Sequence, residues 1–274
     1  MIIDSHFHTN VYYNYEGTLE KALQIATEKK ILLLSNSVDL DSYYQTIDIT
    51  KKSKFIIPCF GIHPQVAHEY VDRINSLEIL FNEAVAFGEI GLDHYYIKDE
   101  SQYPSQYTIL EHFFKAALEY EKLVILHLDG AEKQGMKLIK KYSLPKVIIH
   151  GFKGSIETLN DLLDLGCYFS VGGNMIMEQF KDYIPPIEWT RRMKTIQKIP
   201  KERLLLETDG PCRIEPNAKA DTPRSMPDYI FNILQRIAQL RGVTQKSLQK
   251  SCLTNFKSII KKDPNLFSNF KSLY

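Results

Sequence analysis

The chain has 274 residues, 44% hydrophobic and 24% charged, with 34 basic against 33 acidic side chains and a net charge of +1. That length suits one α/β barrel, and the composition is that of a globular chain with a large core, which excludes a disordered or collagen-like protein. Proteins that bind nucleic acid mainly by neutralising phosphates carry a basic excess, so any nucleic-acid role here rests on a local site with metal ions supplying part of the positive charge.

The N-terminus, Met1-Ile2-Ile3-Asp4, has no basic or long apolar leader, so it is not read as a secretory signal and the cytoplasm is the expected location. Met1–Ile3 is the first of eight short apolar runs, followed by Leu19, Leu23 and Ala26 on one face of a helix near 17–30. Ile31–Leu34, Phe55–Phe60 and Ala84–Ile90 are the next three runs, and Ile109, Phe113, Ala116, Ala117 and Tyr120 predict a helix near 105–121. Leu123–Leu128 and Lys146–Ile149 follow, then a helix marked by Leu159, Leu162, Leu163 and Leu165 and stopped by Gly166. Cys167–Val171 and Arg203–Leu206 complete the eight, and Pro227–Arg241 and Thr244–Ile260 read as two further helices separated by a Gly242 C-cap. No apolar run reaches the roughly 18 residues of a membrane span. Cys59, Cys167, Cys212 and Cys252 lie far apart and read as free thiols, not as a zinc ribbon or a disulfide framework.

The runs lack clean polar alternation, the pattern of strands buried on both faces. Strand then helix implies a parallel sheet, and eight units imply a closed (β/α)8 TIM barrel with additional C-terminal helices; an open doubly wound sheet is the competing architecture. One domain over 1–274 is expected, with the polar stretch Arg213–Thr222 as a mobile loop over the site.

Chemistry-bearing residues sit where these runs end. They are Asp4-Ser5-His6-Phe7-His8, Gly61-Ile62-His63-Pro64, Gly88-Glu89-Ile90-Gly91-Leu92-Asp93, His127, His150 and Glu207-Thr208-Asp209. In a barrel those ends converge on one mouth. Spacing of two along a strand points His6 and His8 to the same side, and two inward imidazoles need partners, which a divalent ion supplies. With Glu89, His127, His150 and Asp209 the set holds four histidines and two carboxylates, enough for two ions. Mixed nitrogen and oxygen donors suit zinc, manganese or iron, whereas magnesium alone prefers oxygen. Glu89, between the histidine groups, has two oxygens with which to bridge.

In these motifs, in this order and across nearly the whole chain, the sequence resembles the TatD family of metal-dependent deoxyribonucleases, within the amidohydrolase-like barrels. The resemblance extends through His150-Gly151-Phe152-Lys153-Gly154 and Leu205-Leu206-Glu207-Thr208-Asp209-Gly210-Pro211 to Asn255. It implies that His6, His8 and Asp209 hold one ion and His127 and His150 the other, with Glu89 bridging and His63 near the substrate phosphate. Related barrels carry a carbamylated lysine on the fourth strand; here that strand offers Glu89 and no lysine before Lys98. Two motifs depart from the family pattern. Asp129 stands where His-x-Arg is usual, and Gly151-Phe152-Lys153 replaces Cys-Phe-Ser. Arginine clamps a phosphate bidentately whereas a carboxylate repels it, so Lys153 and Arg213 are the candidates to replace the missing cation.

The expected chemistry is phosphodiester hydrolysis of single-stranded DNA or a small phosphodiester, with two divalent ions (zinc, manganese or magnesium) activating water. Asp209 is assigned to orient the nucleophile and accept its proton, with Glu89 and His63 completing the catalytic set. The leaving-group acid is either a water on the metal or His63. Asp4 and Glu207 fix imidazole or loop orientation. No membrane and no obligate protein partner are expected. The same barrel hydrolysing a non-DNA ester or amide is the alternative, and a non-catalytic metal-binding scaffold the remoter one.

Elsewhere, His68 and His112 read as surface residues and His94 as packed or lining the cleft. Tyr95, Tyr96 and Tyr103 are candidates to stack on bases. Arg191, Arg192, Lys194, Lys198, Lys201 and Arg203 read as the solvated face of the helix before the eighth strand, and Gly172-Gly173 as a turn.

Overall fold

The eight apolar runs are strands. They are β1 (Ile2–Phe7), β2 (Ile31–Asn36), β3 (Ile56–Phe60), β4 (Ala86–Asp93), β5 (Val124–Asp129), β6 (Val147–Ile149), β7 (Tyr168–Gly172) and β8 (Leu204–Glu207). The computed structural model describes residues 1–217, 225–261 and 263–271. All neighbouring strands pair in parallel, in the order β1 to β8. The sheet then curls back on itself. Ser5 Oγ donates to the Leu206 carbonyl at 2.8 Å, the Asp209 amide to that of His6 at 3.1 Å and the His8 amide to that of Gly210 at 2.7 Å. This is the expected (β/α)8 barrel.

The surrounding helices are α1 (Thr18–Glu28), α2 (Leu40–Thr50), α3 (Glu78–Glu83), α4 (Tyr103–Glu119), α5 (Glu132–Tyr142), α6 (Ile156–Asp164), α7 (Pro186–Lys198), α8 (Ile230–Arg241), α9 (Gln245–Ile260) and α10 (Pro264–Lys271). Their ends are encoded locally. Asp39, Ser155 and Thr244 accept amide hydrogens at the starts of α2, α6 and α9. Gly242, with φ of 64°, ends α8 as expected. Two features differ from the reading of the sequence. Between β3 and β4 the chain makes 3-10 turns before a short α3, and α10 adds a helix beyond Ile260.

Strand alternation positions the site. Ile3, Leu32, Leu34, Ile57, Cys59, Ile125, Ile148 and Leu205 form an apolar layer inside the barrel, closed from below by Phe256, Ile259, Ile260, Leu266 and Phe270 of α9 and α10. Their strand neighbours, among them Leu33, Phe60, Phe87, Val124 and Leu206, pack outward on the helices. A step of two residues along a strand returns to the same side. His127 therefore stands above Ile125, His150 above Ile148 and Glu207 above Leu205. On β1 and β4 the register shifts, between Asp4 and Phe7 and between Phe87 and Ile90. The extra residue resets the alternation, and His6 faces inward three residues after Ile3, as Glu89 does after Ala86.

Candidate metal centre at the barrel mouth

Four donor atoms from β1, β4 and the end of β8 meet at one point. His6 Nε2 lies 3.1 Å from His8 Nε2, 3.4 Å from Glu89 Oε2 and 3.7 Å from Asp209 Oδ1. His8 Nε2 lies 3.5 and 3.6 Å from the same two oxygens. Ligands about 2.0–2.1 Å from a tetrahedral zinc stand roughly 3.3–3.4 Å apart, so these separations are those of a coordination shell. The other Glu89 oxygen, Oε1, faces a second group, with His127 Nδ1 at 2.8 Å, His150 Nε2 at 3.3 Å and His63 Nε2 at 3.5 Å. The His6 and His150 rings stack at 3.6 Å between the two groups.

The partners of the outer ring nitrogens assign the tautomers. His8 Nδ1 faces the Asn36 carbonyl at 2.9 Å, which can only accept, so its Nε2 keeps a lone pair toward the cluster. His150 Nδ1 does the same with Glu207 Oε2 at 3.2 Å. His127 Nδ1 faces Glu89 Oε1 at 2.8 Å, which can only accept, so this nitrogen donates there, while Nε2 lies 3.5 Å from Asp93 Oδ2. His63 is the opposite. Its Nδ1 accepts the Gln65 amide at 3.2 Å, so the neutral ring presents an N–H at Nε2. On distance alone His63, Glu89 and His127 form a metal-ligand triple, as do His6, His8 and Glu89. Hydrogen-bond direction separates His63 from His8 and His150: its Nε2 offers a proton where theirs, in the neutral rings, offer lone pairs. The donor set therefore fits divalent cations.

Charge in the cluster is strongly coupled. Burial resists ionisation of Glu89, but His63, His6, His127 and His150 outweigh it and hold the carboxyl well below its usual range. Burial likewise opposes protonation of His127 and His150. Asp93 and Glu89 nevertheless raise His127 to about 9, and Glu207 with Glu89 hold His150 well above the ordinary imidazole value. Without an ion these rings keep protons that a cation would displace.

Two acids hold the frame. Glu207 accepts from His150, from the Gly151 amide at 2.8 Å and from the Ser170 hydroxyl. Asp4 accepts from the Thr208 amide at 3.0 Å and the Thr208 hydroxyl at 2.6 Å, tying β1 to the segment that carries Asp209. Burial pushes the Asp4 carboxyl up to about 8, although the Thr208 contacts act in the other direction. Gly61 is required beside Glu89, since a Cβ there would lie 2.4 Å from the Glu89 amide nitrogen.

A family model described as TatD related DNase matches residues 3–261. The chain belongs to that family. It is 29% identical to an uncharacterised metal-dependent hydrolase of Buchnera aphidicola, over 94% of this chain and 98% of that one. It is 28% identical to a 3′-5′ RNA nuclease of Homo sapiens, over 83% of this chain and 30% of the longer human protein. The crystal structure of the TatD homologue YjjV from Escherichia coli superposes with a TM-score of 0.80 at 23% identity, covering 94% of this chain and 97% of the other.

In this TatD barrel a pocket of about 180 Å3 opens at the mouth and is walled by His127, His150, the Gly172–Gly173 turn, Asp209 and Cys212. Tyr96, Asp129 and Lys153 stand at its outer edge. Lys153 Nζ lies 2.5 Å from Asp129 Oδ2, so the cation anticipated beside Asp129 is there. Arg213 is exposed and does not line the pocket. The expected loop over the site begins with the described residues Arg213–Asn217, and 218–222 lie outside the described residues. Tyr103 is packed: its ring stacks on His94 at 3.7 Å and its hydroxyl donates to the Ile97 carbonyl at 3.1 Å. Tyr95 and Tyr96 remain more than half exposed. His68 is exposed, and His112 binds the Thr108 carbonyl within α4.

The basic stretch divides, because α7 ends at Lys198. Lys201 and Arg203 lie beyond it, and Arg203 donates to the Gly166 carbonyl at 3.0 Å. Arg192 pairs with Glu188. Asp93 and Ser170 were not singled out from the sequence as supports. Asp93 had a signal, since it follows Gly91 by two at the end of β4. Ser170 had none beyond its place in β7.

Proposed function

We propose that the protein is a two-metal phosphodiesterase acting on single-stranded nucleic acid, DNA foremost. The observation that carries this reading is Glu89, which turns one oxygen to each histidine group. His6, His8 and Asp209 would hold one ion and His127 and His150 the other, with Glu89 shared; the nitrogen-rich donor set suits zinc or manganese better than magnesium. When bound, such ions activate water and polarise a phosphoryl oxygen.

The chain's own residues orient and hold protons. Asp209, half-exposed at the mouth with φ of 52°, is the group best placed to orient the attacking water and accept its proton. Surrounding protein disfavours its charge, but His8, His150 and His6 outweigh that and keep it ionised. His63 presents its Nε2 proton to the substrate phosphate. Lys153 neutralises Asp129 at the rim. No helix among the described residues is long and apolar enough to cross a membrane, and we place the activity in the cytoplasm, with no obligate protein partner.

The deciding experiment incubates metal-replete protein with labelled single-stranded DNA and RNA, bis(p-nitrophenyl) phosphate, and a panel of carboxylic esters and amides. Turnover of the phosphodiesters, abolished by chelation, is expected. Hydrolysis of esters or amides with no phosphodiester cleaved would overturn the reading. The second reading, a non-nucleic ester or amide substrate, is favoured by the Asp129 carboxylate at the rim, and the same panel tests it. Turnover of any probe separates both from a non-catalytic metal-binding scaffold.

A further inference from the structure

A second cavity of about 520 Å3 opens beside the pocket at the mouth and shares Tyr96, Asp129 and Lys153 with it. We propose that this cleft is a nucleobase subsite, taking the base next to the scissile phosphate of a single strand. The proposal rests on the phosphodiesterase reading above and adds the place where the strand lies.

The walls are aromatic. Tyr95 and Tyr96 stand nearly perpendicular, with centroids 4.8 Å apart, and are 55% and 63% exposed. Phe180 and Tyr183 also line the cleft, and Tyr183 is 58% exposed. Clustered exposed aromatics at a catalytic mouth mark a ligand surface, because single exposed apolar residues scatter. Every base has a π face, so such rings stack on bases with little regard to sequence. Lys153 Nζ, 5.8 Å from the centroids of both Tyr95 and Tyr96, joins the rings to the rim.

Charge argues for the base as the group held there. The lining acids Asp129, Glu132 and Glu188 match the lining cations Lys153, Arg191 and Arg192 three to three. Two of those cations are already paired, Lys153 with Asp129 and Arg192 with Glu188. A balanced cleft captures no polyanion by charge alone. Stacking of a neutral base needs no such excess, in keeping with a chain of net charge +1. Continuity supplies the direction: a strand whose phosphate sits at the histidine cluster passes over Tyr96 and Lys153 into the cleft.

The test compares wild type, Tyr183→Ala and Tyr95→Ala/Tyr183→Ala on three probes: a single-stranded DNA oligonucleotide, an abasic strand of the same length, and bis(p-nitrophenyl) phosphate. Wild type is expected to prefer the base-bearing strand over the abasic one by about tenfold or more in kcat/KM. The double variant is expected to lose most of that preference through KM, and Tyr183→Ala part of it, with folding checked by circular dichroism. If wild type cleaves all three probes and the variants leave the preference unmoved, the subsite falls and the phosphodiesterase reading stands. A wild type indifferent to the bases also overturns the subsite. If it cleaves none of the three, both readings fall together.

Discussion

Lys153 and Asp129 meet at the mouth of the barrel, Nζ to Oδ2, at 2.5 Å. The acid that replaces an expected arginine therefore does not face an incoming phosphate as a bare charge, because the residue that replaces the family's serine neutralises it. Both side chains are largely shielded from solvent, so their fields are only partly screened.

This pairing predicts the outcome of a double-mutant cycle. Lys153→Met should lower kcat/KM on a DNA oligonucleotide by about tenfold at low salt, because the uncovered carboxylate repels the backbone, and by less at high salt. Adding Asp129→Asn should restore most of the loss. A double variant as poor as the single one would mean that Lys153 touches the substrate itself. Asp129→Arg, which leaves Lys153 unpaired and adds a second cation, should raise the low-salt value above wild type.

Glu89→Gln tests the shared carboxylate. The amide keeps the shape but removes the charge that both histidine groups face, and turnover should fall by about a hundredfold or more. Ion content should fall with it. Circular dichroism should be unchanged, and an active variant with a full complement of metal would exclude Glu89 from a bridging role.

Asp93→Asn tests orientation at a distance. Asp93 Oδ2 stands 3.5 Å from His127 Nε2, and Asp93 also accepts the Tyr95 and Tyr96 amides at 2.9 and 2.8 Å. Removing its charge should weaken ion binding about 10- to 100-fold, the usual effect of losing a partner behind a ligating histidine. Competition against a chelator measures it; an unchanged affinity would leave Asp93 as a loop clamp only.

Metal removal should register in stability as well as in activity. An ion that binds only the folded chain contributes about 2.7 kcal/mol at a hundredfold excess over its Kd. Calorimetry of chelated protein, repeated after adding zinc or manganese, should show Tm rising by several degrees. Equal melting temperatures would argue that the histidine cluster holds no ion.

Much of this was legible in the sequence because barrel strands read as apolar runs and their ends carry the unusual residues. His6, His8, Glu89, His127, His150 and Asp209 stand together here, and the parity of Ile125 with His127 or of Ile148 with His150 is visible in the chain. The expected strand ends at Ile3 and Ile90 fell short. Asp4 and Asp93 still pair with neighbouring strands after the apolar run has stopped, because the inside of the mouth is polar. The register shifts in β1 and β4 were hidden for the same reason, since a bulge changes facing without changing composition. Tyr103 shows the other limit. A tyrosine that packs on His94 and one that faces solvent, such as Tyr95, look alike in sequence until the loop's path is known.

The two oxygens of Glu89 point to different neighbours, and that division ties the two halves of the centre thermodynamically. A cation drawn to the side of His6 and His8 polarises the same carboxylate that the side of His127 and His150 must use. Whatever factor the first ion imposes on the affinity for the second, the second imposes on the first. Occupancy should therefore not follow two independent binding curves, and the metal concentration at which the protein switches on should depend on both halves at once.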